Sequence, residues 1–306
     1  MQRPEVPSPD AAGSEQPRPR ARFAIRYDDL TQHGHVKQVT LQLGLGNLCF
    51  DKLWSKHPLF ETRKQGVAAI LSRLVLESEP VAVSFGSPLE ATGQIEIAHE
   101  RATPGQPGPV SALFMNATAD IWALPSRRQP GVDAATRSYV RIGKAFGEHV
   151  LTKPFGPPSE RKVLRFDVPG QPAVPSAEHT RVRVDENATL PAGAVALDKT
   201  FTPDESPWVF GLVHTDLNQH VNSLVYARMF EEAALRRAAR HRQLAGLAAR
   251  KLSLCYRKPC FAGQSMTCMV QSYVLGDELG VVGYVAPEGA PLAKAHCSFQ
   301  LQFRRL

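Results

Sequence analysis

His214-Thr215-Asp216-Leu217-Asn218-Gln219-His220-Val221-Asn222-Ser223-Leu224-Val225-Tyr226 sets a carboxylate, a carboxamide and an imidazole at alternate positions of a turn that leads into a helix. Three polar side chains of different capacity thus meet the positive end of a helix dipole. Amide N–H groups at the helix start can bind a developing oxyanion, and Asp216 can act as base or nucleophile. Asp and Asn are also common in turns and caps, and Asn222 or Ser223 serves such a segment as a cap. Capping alone does not call for His220 or Tyr226.

Outward from this stretch, Trp208 to Val213 reads as a strand and Asn222 to Ala245 as a helix. Leu224, Tyr226, Met229, Phe230, Ala233, Ala234 and Leu235 supply its apolar face. Arg228, Glu231, Arg236, Arg237 and Arg240 fall mostly on the wet side. Strand-like runs follow at Lys251 to Arg257, Ser265 to Leu275, Leu279 to Val285 and Ala293 to Phe303.

The same order occurs earlier in the chain. A short run, Phe23 to Tyr27, leads through a polar turn, Asp28 to Gly34, into His35-Val36 and an apolar-rich helix from Lys37 to about Trp54, stopped by Pro58. Runs of β character then occupy Ala68 to Glu77, Leu89 to His99 and Val110 to Leu124. Two related α+β units are expected, over residues 22–125 and 200–306. Residues 126–199 are rich in Pro and Gly and read as a linker, with a helix expected within Ala134 to Leu151.

The composition agrees with two packed units: 306 residues, 43% hydrophobic and 21% charged, exclude a wholly disordered chain. The excess of 36 Lys+Arg over 29 Asp+Glu gives a formal charge of +7, too modest and too spread out to indicate nucleic acid. Residues 1–21 hold no signal-peptide core and are expected to form a disordered, Pro-rich tail. No run approaches the ~18 apolar residues that span a bilayer. The five cysteines form no C-x-x-C pair, so free thiols in a reducing cytoplasm are expected.

The string Asp216-Leu217-Asn218-Gln219-His220-Val221-Asn222, with Tyr226 and Glu232, resembles the signature of the hot-dog-fold acyl-acyl carrier protein thioesterases of plants and bacteria. Leu254-Cys255-Tyr256-Arg257-Lys258-Pro259-Cys260 resembles that family's L-E-Y-R-R-E-C type strand. The likeness is close from about residue 208 to 265 and extends in layout over both halves. It implies an α+β tandem hot dog, each unit a long helix wrapped by a curled antiparallel sheet, and a thioester hydrolase without cofactor or metal. It also implies that Asp216, Asn218 and His220 serve the site.

The family's acidic residue before the downstream Cys is Pro259 here, which leaves Asp216 itself, Glu232 or a residue elsewhere as base. Asn222, Tyr226 and Cys260 are expected to line the substrate. Leu41, Leu45, Leu48, Phe50, Trp54, Met229 and Phe230 are candidate acyl-tunnel liners that equally suit plain core. In the N-terminal copy Thr31 and His33 replace Asp216 and Asn218, and His35 alone is kept. That copy is expected to shape the pocket rather than catalyse.

The basic cluster Arg236, Arg237, Arg240, Arg242, Arg250 and Lys251 is either a solvated helix end or a dock for acyl carrier protein or coenzyme A phosphates. A homodimer is compatible with the sequence. Two other functions remain open at this level. One is a hot-dog hydratase or dehydratase, whose D-x-N-x-x-H motif is one residue longer. The other is a non-hydrolytic acyl-carrier-binding protein, suggested by Pro259.

Overall fold

The computed structural model describes residues 19–103, 105–127, 137–241 and 246–306. The tail expected at residues 1–21 lies almost wholly outside these, as do Arg242 and the expected helix end at 242–245. Two compact units result: one takes the chain to Ser72 together with Ser78–Arg181, the other Arg73–Glu77 with Val182–Leu306.

The first unit contains β1 (Arg20–Phe23), α1 (Gln38–Leu41), most of β2 (Ala68–Ser78), β3 (Leu89–Arg101), β4 (Val110–Ala123), β5 (Val140–Thr152) and β6 (Ala177–Glu178). Strands β1, β3, β4 and β5 pair in that order, all antiparallel, and β6 adds to β3 in parallel. Trp54, Leu59, Leu113, Met115, Leu151 and Phe166 form a buried cluster in this unit.

The expected long helix from Lys37 is a composite. α1 gives way to a wide π-type run, Leu45–Leu53, then to tight turns at Trp54–Lys56 and Pro58–Gln65. Gly44 and Gly46 weaken a regular α-helix here. Pro58 begins the last turn rather than stopping the helix: it sits at the first helical position, and the His57 ring accepts the Leu59 N–H.

The expected helix within Ala134 to Leu151 is contradicted. Residues 140–152, in the stretch read as linker, are β5 and cluster with the first unit. Val140, Ile142, Phe146 and Val150 favour a pleated surface, while Gly143 and Gly147 disfavour a helix.

The second unit contains α2 (Val184–Asn187), β7 (Val195–Ala196), β8 (Thr202–Pro203), β9 (Trp208–Val209), α3 (Ser223–Ala239), β10 (Leu247–Tyr256), β11 (Ser265–Leu275), β12 (Glu278–Ala286) and β13 (Cys297–Arg305). The order β10-β13-β12-β11-β7 is antiparallel throughout, and β10 also pairs with Arg73–Glu77 of β2. The strand expected over Trp208 to Val213 stops at Val209, because Gly211 admits a tight turn at Leu212–His214. β13 likewise starts only at Cys297, after a turn that Pro291 leads into. Phe230 of α3 stacks at 4.0 Å from Phe299 of β13 and 4.8 Å from Trp208, which packs the helix on the sheet.

Asp198 fixes the far end of α3. Its buried carboxylate accepts from Arg237 Nε at 2.8 Å, His241 Nε2 at 3.1 Å and the Ser272 N–H of β11 at 2.6 Å. Burial alone would raise its pKa, but the bonds from Arg237 and Ser272 outweigh this and hold it below the usual carboxylate range. Asp198→Ala strands Arg237 and is expected to cost about 3–5 kcal/mol in urea unfolding. Because the folded pKa is depressed, the wild-type advantage is full above about pH 4 and disappears as the pH falls below it.

Candidate functional site

The 214–222 loop is a tight hairpin closed by a Thr215–Val221 bridge. The Asp216 N–H donates to the His220 carbonyl at 3.2 Å, the Gln219 N–H to the Asp216 carbonyl at 2.9 Å and the Asn222 N–H to the His214 carbonyl at 2.9 Å. Gln219 takes the left-handed conformation this turn demands, with φ at 61°. In the first unit the Thr31 N–H bonds to His35, Gly34 to Thr31 and Lys37 to Asp29, while Leu30 and Val36 form the bridge. The same backbone circuit is thus built twice, with a glycine at the left-handed position of the first.

The side chains differ. In the second loop the Asp216 carboxylate accepts the Asn218 N–H at 2.9 Å and the Asn222 Nδ2–H at 3.0 Å. Asn222 also caps α3, its Oδ1 accepting the Leu224 N–H at 2.9 Å. One carboxamide therefore ties the carboxylate to the helix N-terminus. Thr31 puts only a hydroxyl in Asp216's place, and Lys37 cannot cap α1.

Three groups beside Asp216 have no hydrogen-bond partner among the described residues: the Asn218 carboxamide, His220 Nε2 and the Ser223 N–H at the first position of α3. A pinned carboxylate beside unspent donors at a helix start can accept a proton while a substrate oxygen is held. Asn218 and Leu217 are exposed, and Asp216 and His220 are half-buried.

Other residues singled out in the sequence are placed differently. Glu232 is not brought to Asp216: its side chain is 70% exposed and pairs at 3.8 Å with Arg236, one turn along the wet face. Ten residues past the cap, it sits about 15 Å along the axis from the helix start. The Tyr226 hydroxyl is buried and accepts the Cys260 N–H at 3.0 Å, a structural tie. Leu45 and Trp54 are buried core residues of the first unit, as are Leu41 and Leu48. Phe230 is core of the second, and Met229 and Phe50 are half-buried.

The basic cluster is largely spent within the chain. Arg236 grips Asp204 with Nε at 3.0 Å and Nη2 at 2.6 Å, Arg237 holds Asp198, and Arg240 pairs with Glu205. Arg250 pairs with Glu278 and Lys251 with Glu77. The helix end thus presents little free positive charge for a carrier.

The sequence reading missed His296. Its Nδ1 lies 3.0 Å from the Pro259 carbonyl and 3.5 Å from Cys260 Sγ. The Cys260 carbonyl in turn takes the Val221 N–H at 2.8 Å, so this stretch borders the Asp216 loop. Burial depresses the His296 pKa and Lys258 adds to this, while the bond to Pro259 opposes it. The ring is therefore neutral at pH 7, with Nδ1–H donating to Pro259 and Nε2 as the basic nitrogen. No spacing rule links His296 to Asp216; only strand pairing does.

No protein-family model and no curated protein matches the chain. Solved structures do. An acyl-ACP thioesterase from Bacteroides thetaiotaomicron is 13% identical, with 94% of this chain and 97% of that chain covered and a TM-score of 0.57. The 12:0-ACP thioesterase from Umbellularia californica is 14% identical over 94% of each chain, at a TM-score of 0.59. The chain has the α+β hot-dog fold of these thioesterases.

Replacing Asn222 separates its two duties. Asn222→Ala should lose about 1 kcal/mol of stability with the cap, whereas Asn222→Ser should keep it within a few tenths. Both remove the Asp216 tether, and thermal unfolding should distinguish the two variants.

Proposed function

We propose that this chain hydrolyses acyl thioesters, carried on acyl carrier protein or coenzyme A, to a free carboxylic acid and a thiol. In this reading the two units are tandem hot dogs, and the second, residues 200–306, carries the chemistry. The observation that carries it is the Asp216 carboxylate, fixed by the Asn218 N–H and Asn222 Nδ2 beside unspent donors at the start of α3.

Asp216 accepts a proton from the attacking water as the new C–O bond forms. The carbonyl oxygen gains negative charge facing the Ser223 N–H and the positive end of α3. The Asn218 carboxamide orients that carbonyl, and His220 Nε2 contacts the attacking water. On collapse the C–S bond breaks, and the proton held by Asp216 passes to the departing sulfur. His296 takes the remaining proton of that water as the product acid leaves as a carboxylate, in place of the Glu232 relay, because Glu232 faces solvent with Arg236.

The five buried free cysteines suit a reducing compartment, so we assign the activity to the cytoplasm. Pro259 alone points to carrier binding without turnover, and nothing at the Asp216 loop favours hydration of an enoyl thioester.

Thiol release from a panel of acyl-carrier and acyl-CoA thioesters tests this reading. Asn218→Ala should lower turnover about 10²–10³-fold, and Glu232→Gln should leave it unchanged. Full activity in Asn218→Ala would remove the assignment. Wild-type turnover should decline on the acid side of the ordinary histidine range, because burial holds the His296 pKa below its usual value. His296→Ala should be slower and lack that decline, which a merely structural role would leave in place.

A further inference from the structure

A projection on the first unit carries charge and apolar surface that the Asp216 site does not use. Past β5 the chain turns out and back. The Thr152 hydroxyl and the Lys153 N–H both donate to the Arg161 carbonyl, at 2.6 and 2.9 Å, and Thr152 bridges to Lys162. Inside this closure the Gly156 N–H returns to Lys153 at 3.1 Å and the Glu160 N–H to Pro157 at 2.9 Å. Pro154, Pro157 and Pro158 restrict the backbone further. Val163 and Phe166 root the returning strand in the cluster with Trp54 and Met115. The loop is closed by its own hydrogen bonds, and residues 155 and 157–162 of it are exposed.

At its tip Phe155 is 100% exposed, and Leu164 on the returning side is 41% exposed. Lys153, Arg161, Lys162 and Arg165 flank the tip, and Glu160 is the sole acid between Thr152 and Phe166. Lys153, Arg161, Lys162 and Arg165 form no ion pair among the described residues, and Arg161 turns its Nε to the Gly156 carbonyl. This contrasts with α3, where Arg236, Arg237 and Arg240 are each matched to a carboxylate.

We propose that this hairpin docks the protein on an anionic lipid bilayer, with Phe155 entering the interface and Lys153, Arg161, Lys162 and Arg165 lying against lipid phosphates. An acidic protein would take the cations but gives no reason for a large apolar side chain raised clear at the apex. A bilayer interface takes both, an apolar side chain below the headgroups and cations at their level. The prolines pre-set the loop, so little ordering cost falls on binding. No helix among the described residues is long and apolar enough to cross a membrane, and the proposed contact is that of an interfacial anchor. The inference does not rest on the hydrolytic reading.

Vesicle flotation of the full chain tests it, with phosphatidylcholine alone against phosphatidylcholine mixed with phosphatidylglycerol. Association is expected with the anionic vesicles only, weakening as salt is raised. Phe155→Ser should weaken it about tenfold or more. Lys162→Gln and Arg165→Gln should each weaken it about fivefold. Phe155→Trp gives a direct readout, a blue-shifted emission on adding anionic vesicles. No association of the intact chain at low salt would overturn the proposal. So would association unchanged in Phe155→Ser and in the Lys162/Arg165 double variant, or hairpin-dependent binding to a soluble acidic protein without vesicles.

Discussion

A helix that begins inside a protein must satisfy its first N–H groups, and α3 does this through Asn222. The Oδ1 of that side chain caps the helix, and its Nδ2 holds Asp216. The position of the carboxylate is therefore set by the same contact that starts the helix. Packing depends on that start as well: Tyr226, one turn in, anchors Cys260, and Phe230, one further turn along, meets Phe299. The far end is set by Asp198. With both ends fixed, the loop and its unspent donors have a rigid base.

The same loop backbone in the first unit shows what the side chains add. Thr31, Gly34 and His35 reproduce the turn and its bridge, so the circuit is a property of chain geometry. Where Asp216 and Asn222 stand, that copy has Thr31 and Lys37, and neither a carboxylate nor a carboxamide cap is present at those places. Its acid lies elsewhere: Asp29 bonds to the Arg26 N–H and the buried Thr40 hydroxyl. Burial raises the Asp29 pKa, but the bonds from Arg26 and Thr40 win and lower it, as suits a carboxylate used to hold structure.

Much of this was legible in the sequence, for identifiable reasons. β11 was read at Ser265 to Leu275, where alternation is strong, and α3 begins where Asn222 and the apolar period place it. β5 is not legible in the sequence because Ala134 to Leu151 lacks proline and its apolar spacing suits either period, with Gly143 and Gly147 alone tipping it to a strand. Glu232 and Arg236, four apart on one helix, are legible as a pair on its wet face; only the family resemblance draws Glu232 to the site. For Arg236, Arg237 and Arg240 the sequence leaves a solvated helix end and a dock both open, because their partners Asp198, Asp204 and Glu205 are brought in by chain distant in sequence. His296 was invisible for the same reason, since only the pairing of β13 with β10 brings it to Pro259.

The central claim is that the Asp216 carboxylate accepts the proton of the attacking water. Single-turnover thiol release by Asp216→Asn, compared with wild type at matched folded fraction, tests this most directly. The substitution keeps an acceptor for the Asn218 N–H but has no carboxylate to take up the proton. Loss of at least about 10²-fold in the chemical step is the predicted result; release at the wild-type rate would contradict the account.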